Sequence, residues 1–204
     1  MEFLAIFFVV LAVSLDAFAI SLAYGSSNIR IPFKSIVVIN LVGTSMLAVS
    51  LYAGSFLGNF ITHPEYLAAG ILFVLGSIKI FDCLIKRAIK KAQGEKKITF
   101  SFLDINFILT IYGNPHLADA DQSRHISPKE AVALAIALAL DNMAVGVGAG
   151  LVANPLPAIG LNLIIGTLAI VAGLGLGRKF IREGIDISWV GGLVLISVAV
   201  LTLF

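Results

Sequence analysis

Six apolar stretches of near-bilayer length, at residues 3–24, 35–58, 66–85, 130–152, 157–177 and 187–204, constrain this chain more than any other feature. A helix of roughly 20 apolar residues crosses the roughly 30 Å of a hydrocarbon core, and in that solvent only helices and closed barrels satisfy every backbone polar group. The pattern predicts an all-α membrane protein with six transmembrane helices. Charged residues fill 13% of the 204 positions, about half the share usual in a soluble domain. Four of the breaks between stretches carry turn chemistry or charge: Gly25-Ser26-Ser27-Asn28, Thr62-His63-Pro64-Glu65, Asn154-Pro155-Leu156-Pro157 and Arg178 to Asp186. Residues 1–20 resemble a secretory leader, but Glu2 is their only early charge and Asp16 falls at the end of the apolar run, so they are read as a retained first span.

Basic residues set the orientation. Arg30 and Lys34 follow the first span, Lys86 to Lys129 the third, and Arg178, Lys179 and Arg182 the fifth, while the alternate connections have none. Because the cytoplasmic side retains Lys and Arg, both termini are expected to be extracytoplasmic. Lys79, within the third span, is the exception and is expected to snorkel toward an interface. Asp82 is expected to pair with Lys79 or Lys86 on the helix surface.

Three spans per half is an odd number, so likeness between the halves implies opposite orientations. Leu15-Asp16-Ala17-Phe18-Ala19 matches Leu140-Asp141-Asn142-Met143-Ala144 at an offset of 125. Ile39-Asn40-Leu41-Val42 matches Leu161-Asn162-Leu163-Ile164, and Ala69 to Leu75 matches Gly191 to Ser197, both at an offset of 122. The expected organisation is a first three-helix repeat at 1–86, a cytoplasmic connection at 87–128 and a second, inverted repeat at 129–204.

Asp16 and Asp141 fall near the middle of the first and fourth spans. A carboxylate at that depth costs about 2.5–3.5 kcal/mol on insertion scales, and such groups face a bundle interior and mark ion or proton paths. The alternative is that each Asp only fixes helix register against a polar neighbour. Asn40 and Asn162 are expected roughly 8–10 Å from the midplane at 1.5 Å per residue, toward opposite faces, as gates, second-layer ligands or interhelical hydrogen-bonding groups. Two carboxylates with amide and backbone oxygens suit Mn²⁺, Mg²⁺ or Ca²⁺ better than thiolate-seeking metals. A cationic amino acid is a rival cargo. Gly146, Gly148 and Gly150 point to close helix packing.

In the third connection, Asp119, Asp121, Ser123, Ser127 and Glu130 place oxygens at positions 1, 3, 5, 9 and 12 of an EF-hand-like loop, a possible Ca²⁺ site, with Arg124 where glycine normally permits the sharp turn. The competing reading is structural: Ser127-Pro128-Lys129-Glu130 forms a capping box that starts the fourth span. Residues 98–112, interrupted by Asp104 and Asn106, are expected to be interfacial or packed rather than a seventh span.

Other chemistries find no support. Cys83 stands alone, without the neighbours of a zinc or redox site; no phosphate-binding GxxxxGK[ST] run is present; no nucleic-acid motif occurs, and neither enzymatic activity nor a prosthetic group is expected.

The motifs Ser14-Leu15-Asp16-Ala17-Phe18-Ala19, Ala139 to Gly148 and Gly191 to Ile196 resemble the manganese efflux pump (MntP) family. The connection, with Ile111-Tyr112-Gly113-Asn114-Pro115 and Ala118 to Ser123, looks closer to its sporulation membrane protein (YtaF) branch. The resemblance implies a multi-pass protein of the bacterial cytoplasmic membrane with six helices, Mn²⁺ export, and metal-binding roles for Asp16 and Asp141. Pump members tend to carry a glutamate in the second span, where this chain reads Val42-Gly43-Thr44-Ser45. The function expected is secondary transport that exports a divalent cation, with the lipid bilayer and the ion as partners and a homodimer as an open arrangement. A non-transporting, sporulation-associated or ion-sensing membrane protein and an amino-acid exporter are the alternatives.

Overall fold

The computed structural model describes residues 2–93, 118–119, 123–180 and 188–203. Among them are six named helices and no strand: α1 (Glu2–Ser26), α2 (Phe33–Gly58), α3 (Pro64–Gln93), α4 (Pro128–Gly150), α5 (Pro155–Phe180) and α6 (Ser188–Leu203). Residues 98–112 and Asp121 lie outside the described part, as do the side chains of Asp82 and Asp141.

Local sequence explains the boundaries. Ser127 caps α4, its hydroxyl accepting from Glu130 N–H while the Glu130 carboxylate accepts from Ser127 N–H, with Pro128 in the first turn. Pro32 and Pro64 open α2 and α3, where a missing N–H costs nothing. At the head of α5, Asn154 accepts from Leu156 N–H at 3.2 Å.

Helices α1, α2 and α5 are long and apolar enough to cross a bilayer, and α4 is a fourth if its two halves, Pro128–Leu140 and Asn142–Gly150, which meet at 49°, form one span. Among the described residues, the six spans expected from sequence are therefore met by three or four helices on length and apolarity alone. Helix α6 is 16 residues long.

Two interfaces are unusually close. Along α1 and α5, a Cβ added at Gly173 or Gly177 would lie 2.6 and 2.3 Å from the carbonyl oxygens of Phe18 and Leu22. Along α2 and α4, one added at Gly54 or Gly150 would lie 2.2 Å from the carbonyl oxygens of Val147 and Leu51. Residue numbers rise together across both interfaces, so each pair is parallel. Small residues let the backbones meet where the lipid supplies no hydrophobic drive for association. The third extensive interface joins α3 to α6.

Buried apolar side chains form two clusters. One gathers Tyr24, Ile36, Ile39, Ile126, Leu134 and Ile170. The other gathers Val10, Val13, Leu47, Leu51, Val145 and Leu195. In α1, α2 and α4 the chain passes from one cluster to the other through a polar stretch.

Candidate functional site

That polar layer is made from four helices. Ser14 and Asp16 lie in α1 just beyond Val13, Asn40 and Thr44 in α2 between Ile39 and Leu47, Asn142 in α4 before Val145, and Asn162 in α5; all are buried. A cavity of about 40 Å³ opens among them, lined by Ser14, Asn40, Thr44, Asn142, Asn162 and apolar neighbours that include Val13, Ile39 and Ile170.

Asp16 does not stand alone. Lys79 of α3 donates to its Oδ2, and the two residues are 8% and 6% exposed. This corrects the expectation that Lys79 reaches an interface. It lies 15 residues into α3, roughly 22 Å along the axis at 1.5 Å per residue, deep enough for a buried carboxylate to be the nearer partner. A paired charge in a low-dielectric interior is far less costly than a single one. The ammonium stands where a cation held by Asp16 would stand.

The asparagines also differ from expectation. Rather than diverging toward opposite faces, Asn40 and Asn162 share the cavity wall and are joined through Thr44. Asn162 Nδ2 donates to Thr44 Oγ1 at 2.8 Å, Thr44 Oγ1 donates to Asn40 Oδ1 at 3.3 Å, and Asn40 Nδ2 donates to the Leu163 carbonyl at 2.7 Å and to Thr167 Oγ1. Antiparallel α2 and α5 set Asn40 beside Leu163, Gly166 and Thr167 and Asn162 beside Thr44, so the two repeat-related positions fall within roughly one helical turn of each other, which distances counted along separate helices do not reveal. Of their expected roles, interhelical hydrogen bonding is the one in place.

The loop before α4 is occupied with structural work. Asp119 Oδ1 accepts from Ser123 N–H at 3.0 Å and its Oδ2 from Arg124 N–H at 2.9 Å. Arg124 adopts φ 60°, the left-handed turn for which a sixth-position glycine is suited. The segment is strapped to the first connection by Arg30 N–H to Arg124 O at 2.8 Å and Ile126 N–H to Arg30 O at 3.0 Å, and to α2 by Ser35 Oγ to Ile126 O at 2.7 Å. Glu130 is buried and takes part in the capping box. Among the described residues no three His, Cys, Asp or Glu side chains gather as a metal cluster.

Ser14, Thr44, Asn142 and the pairing role of Lys79 were not singled out from sequence. Two of the three polar residues had a signal: Thr44 is one helical turn from Asn40, and Asn142 directly follows Asp141. For Lys79 the signal was the cost of a lysine at that depth, which calls for an acid on another helix.

These features define a multi-pass helical membrane protein with a buried, charge-paired polar layer closed on either side by apolar packing. The family described as "Putative manganese efflux pump" (Mntp) matches residues 87–203, and the chain belongs to it. It is 29% identical over 205 residues to the "Probable sporulation protein YtaF" of Bacillus subtilis (strain 168), covering 97% of this chain and 98% of that protein. No solved structure matches.

Proposed function

We propose that this chain exports a divalent cation, Mn²⁺ foremost, by alternating access at a central site containing Asp16 and Asp141. The observation that carries the reading is the Asp16 carboxylate, buried in the polar layer with a cation, the Lys79 ammonium, already on it. A cargo ion binding there takes the place of that ammonium. The apolar clusters on either side correspond to two closed gates, and opening one at a time exposes the layer to one side of the membrane.

Six spans in two inverted halves supply the means. Exchanging α1–α3 with α4–α6 maps the pair α1 and α5 onto α4 and α2, leaves α3 and α6 facing each other, and preserves the parallel sense of both glycine-lined pairs. Inverted repeats support a rocking motion about a fixed midplane site. With the basic connections on the cytoplasmic side, both termini are extracytoplasmic, and a divalent ion moved outward against 100 mV requires about 4.6 kcal/mol, twice the value for one charge. External protons competing for the carboxylates are the proposed source. A part in spore formation, suggested by the relative's name, would be a setting for this cation movement.

The test is Mn²⁺ flux in proteoliposomes holding the full chain, beside Ca²⁺ and lysine. Mn²⁺ flux that disappears in Asp16→Asn and Asp141→Asn is expected. Unchanged flux in both variants would remove the site assignment, and lysine flux without Mn²⁺ flux would replace the cargo.

A further inference from the structure

The cavity beside Asp16 carries a second, charge-free set of ligands. Ser14 Oγ, Asn142 Oδ1 and Asn162 Oδ1 are buried without a hydrogen-bond partner, in residues 3%, 9% and 5% exposed, and all three line the same cavity of about 40 Å³. A buried polar atom left unsatisfied costs about 1–3 kcal/mol. Three around one cavity create a local demand for an occupant that donates hydrogen bonds or is positive.

The neighbouring network fixes the sign of that demand at Asn162. The Leu163 carbonyl can only accept, so the Asn40 amide nitrogen faces it and Asn40 Oδ1 faces Thr44. Thr44 therefore donates to Asn40 and accepts from Asn162 Nδ2. Asn162 must then present its oxygen elsewhere, and that oxygen is one of the three without a partner. The chain of hydrogen bonds is polarised to leave an acceptor at the cavity.

The charge of the occupant follows from the lining. Among the described residues that line it none is charged, and Asp16, whose carboxylate is engaged by Lys79 of α3, is not one of them. Neutral oxygens hold hard cations, but a divalent ion stripped of water without a counter-charge meets a desolvation cost that neutral dipoles do not offset. A single positive charge is better matched. A water needs roughly 10–15 Å³ of such volume, so there is room for one small ion with one or two waters.

We propose that this cavity is a binding site for a monovalent alkali cation, separate from the Asp16 carboxylate. Its use as a counter-ion during export rests on the function proposed above; the binding itself does not.

The full chain, purified in nanodiscs free of divalent metal, is unfolded thermally in NaCl, in KCl and in choline chloride at equal ionic strength, and ²²Na⁺ binding is measured in parallel. The expected result is a saturable stabilisation by Na⁺ or K⁺ that choline does not give. The apparent alkali-ion affinity should fall at least tenfold in Ser14→Ala and in Asn142→Leu, and should persist in Asp16→Asn even where Mn²⁺ flux is lost. Equal melting in all three salts with no ²²Na⁺ bound would mean that the cavity holds water only and would overturn the proposal. So would an alkali response unchanged in both cavity variants, or one abolished by Asp16→Asn. Ser14→Ala removes a single oxygen from an unbonded hydroxyl, so it keeps the test valid if Asn142→Leu fails to fold.

Discussion

Replacing Lys79 by methionine removes one charge from the buried pair with Asp16 while keeping most of the apolar stem. Both residues are at least 90% buried, so solvent screening is small and the loss should approach the about 3–5 kcal/mol seen when one partner of a buried pair is deleted. The insertion cost of a lone carboxylate at a helix centre, about 2.5–3.5 kcal/mol, leads independently to a similar figure. At about 2–4 °C per kcal/mol for a chain of this size, Lys79→Met should melt roughly 6–20 °C below the parent in nanodiscs. Asp16→Asn, which strands the ammonium, should lose a comparable amount. The double variant carries neither charge and should recover to within about 2 kcal/mol of the parent, because apolar or neutral replacement of a whole buried pair is often close to neutral. The cycle thus predicts a coupling energy of at least about 4 kcal/mol, the two single losses less what the double variant retains. Additivity within about 0.5 kcal/mol, as expected of independent sites, would refute the pair. The double variant should also remain inactive in Mn²⁺ flux, since a stable fold without the carboxylate keeps the gates and lacks the ligand.

Further outcomes follow from close packing and from the loop. Gly150→Ala should destabilise by about 1–3 kcal/mol, because its Cβ would stand 2.2 Å from the Leu51 carbonyl, whereas Gly43→Ala, with nothing within 4 Å, should not; equal melting of the two variants would contradict the α2–α4 interface. Asp119→Ala leaves two backbone N–H groups without their acceptor and should cost about 1–3 kcal/mol, with faster amide exchange at Ser123 and Arg124 as the readout. Ser127→Ala should cost about 1 kcal/mol through loss of the cap and is measured by the same melts. Arg124→Gly should be neutral or stabilising by up to about 1 kcal/mol, since φ 60° is strained for a side chain; a large destabilisation would mean that the arginine side chain has a role of its own.

Sequence carried the helices well because hydrophobic length and turn chemistry are local. The capping box of Ser127 and Glu130, the proline starts and the glycine packing of α4 all depend on residues within a turn or two of one another. The polar layer was legible only in outline. Asp16 could be placed at depth from its position in an apolar run, but its partner lies 63 residues away on another helix, and no spacing rule links the two. Depth counted along each helix separately sets the asparagines too far apart, because it lacks the offset with which α2 and α5 pack. Ser14 and Asn142 looked like motif members rather than ligands, because an unpartnered oxygen is a property of the assembled cavity.

The same pairing bears on how an inverted repeat can favour one direction of movement. In the inverted-repeat reading, position 79 corresponds at an offset of 122 to Leu201, so the second half has a leucine where the first has the ammonium. Two identical halves would make the inward-open and outward-open states mirror images of equal energy. Lys79 tethers α1 to α3 in one half only, and releasing a buried pair is worth a few kcal/mol. A difference of that size is enough to populate one state about a hundredfold over the other, since 1.4 kcal/mol is a factor of ten. The direction that closes the Asp16 pair should therefore be the resting state. A cargo ion that takes over Asp16 removes the tether and with it the bias, which couples occupancy of the site to release of the conformation. Distances between spin labels on α1 and α3, measured with and without Mn²⁺, should change in the parent chain and not in the Asp16→Asn and Lys79→Met double variant; an equal response in both would place the switch elsewhere.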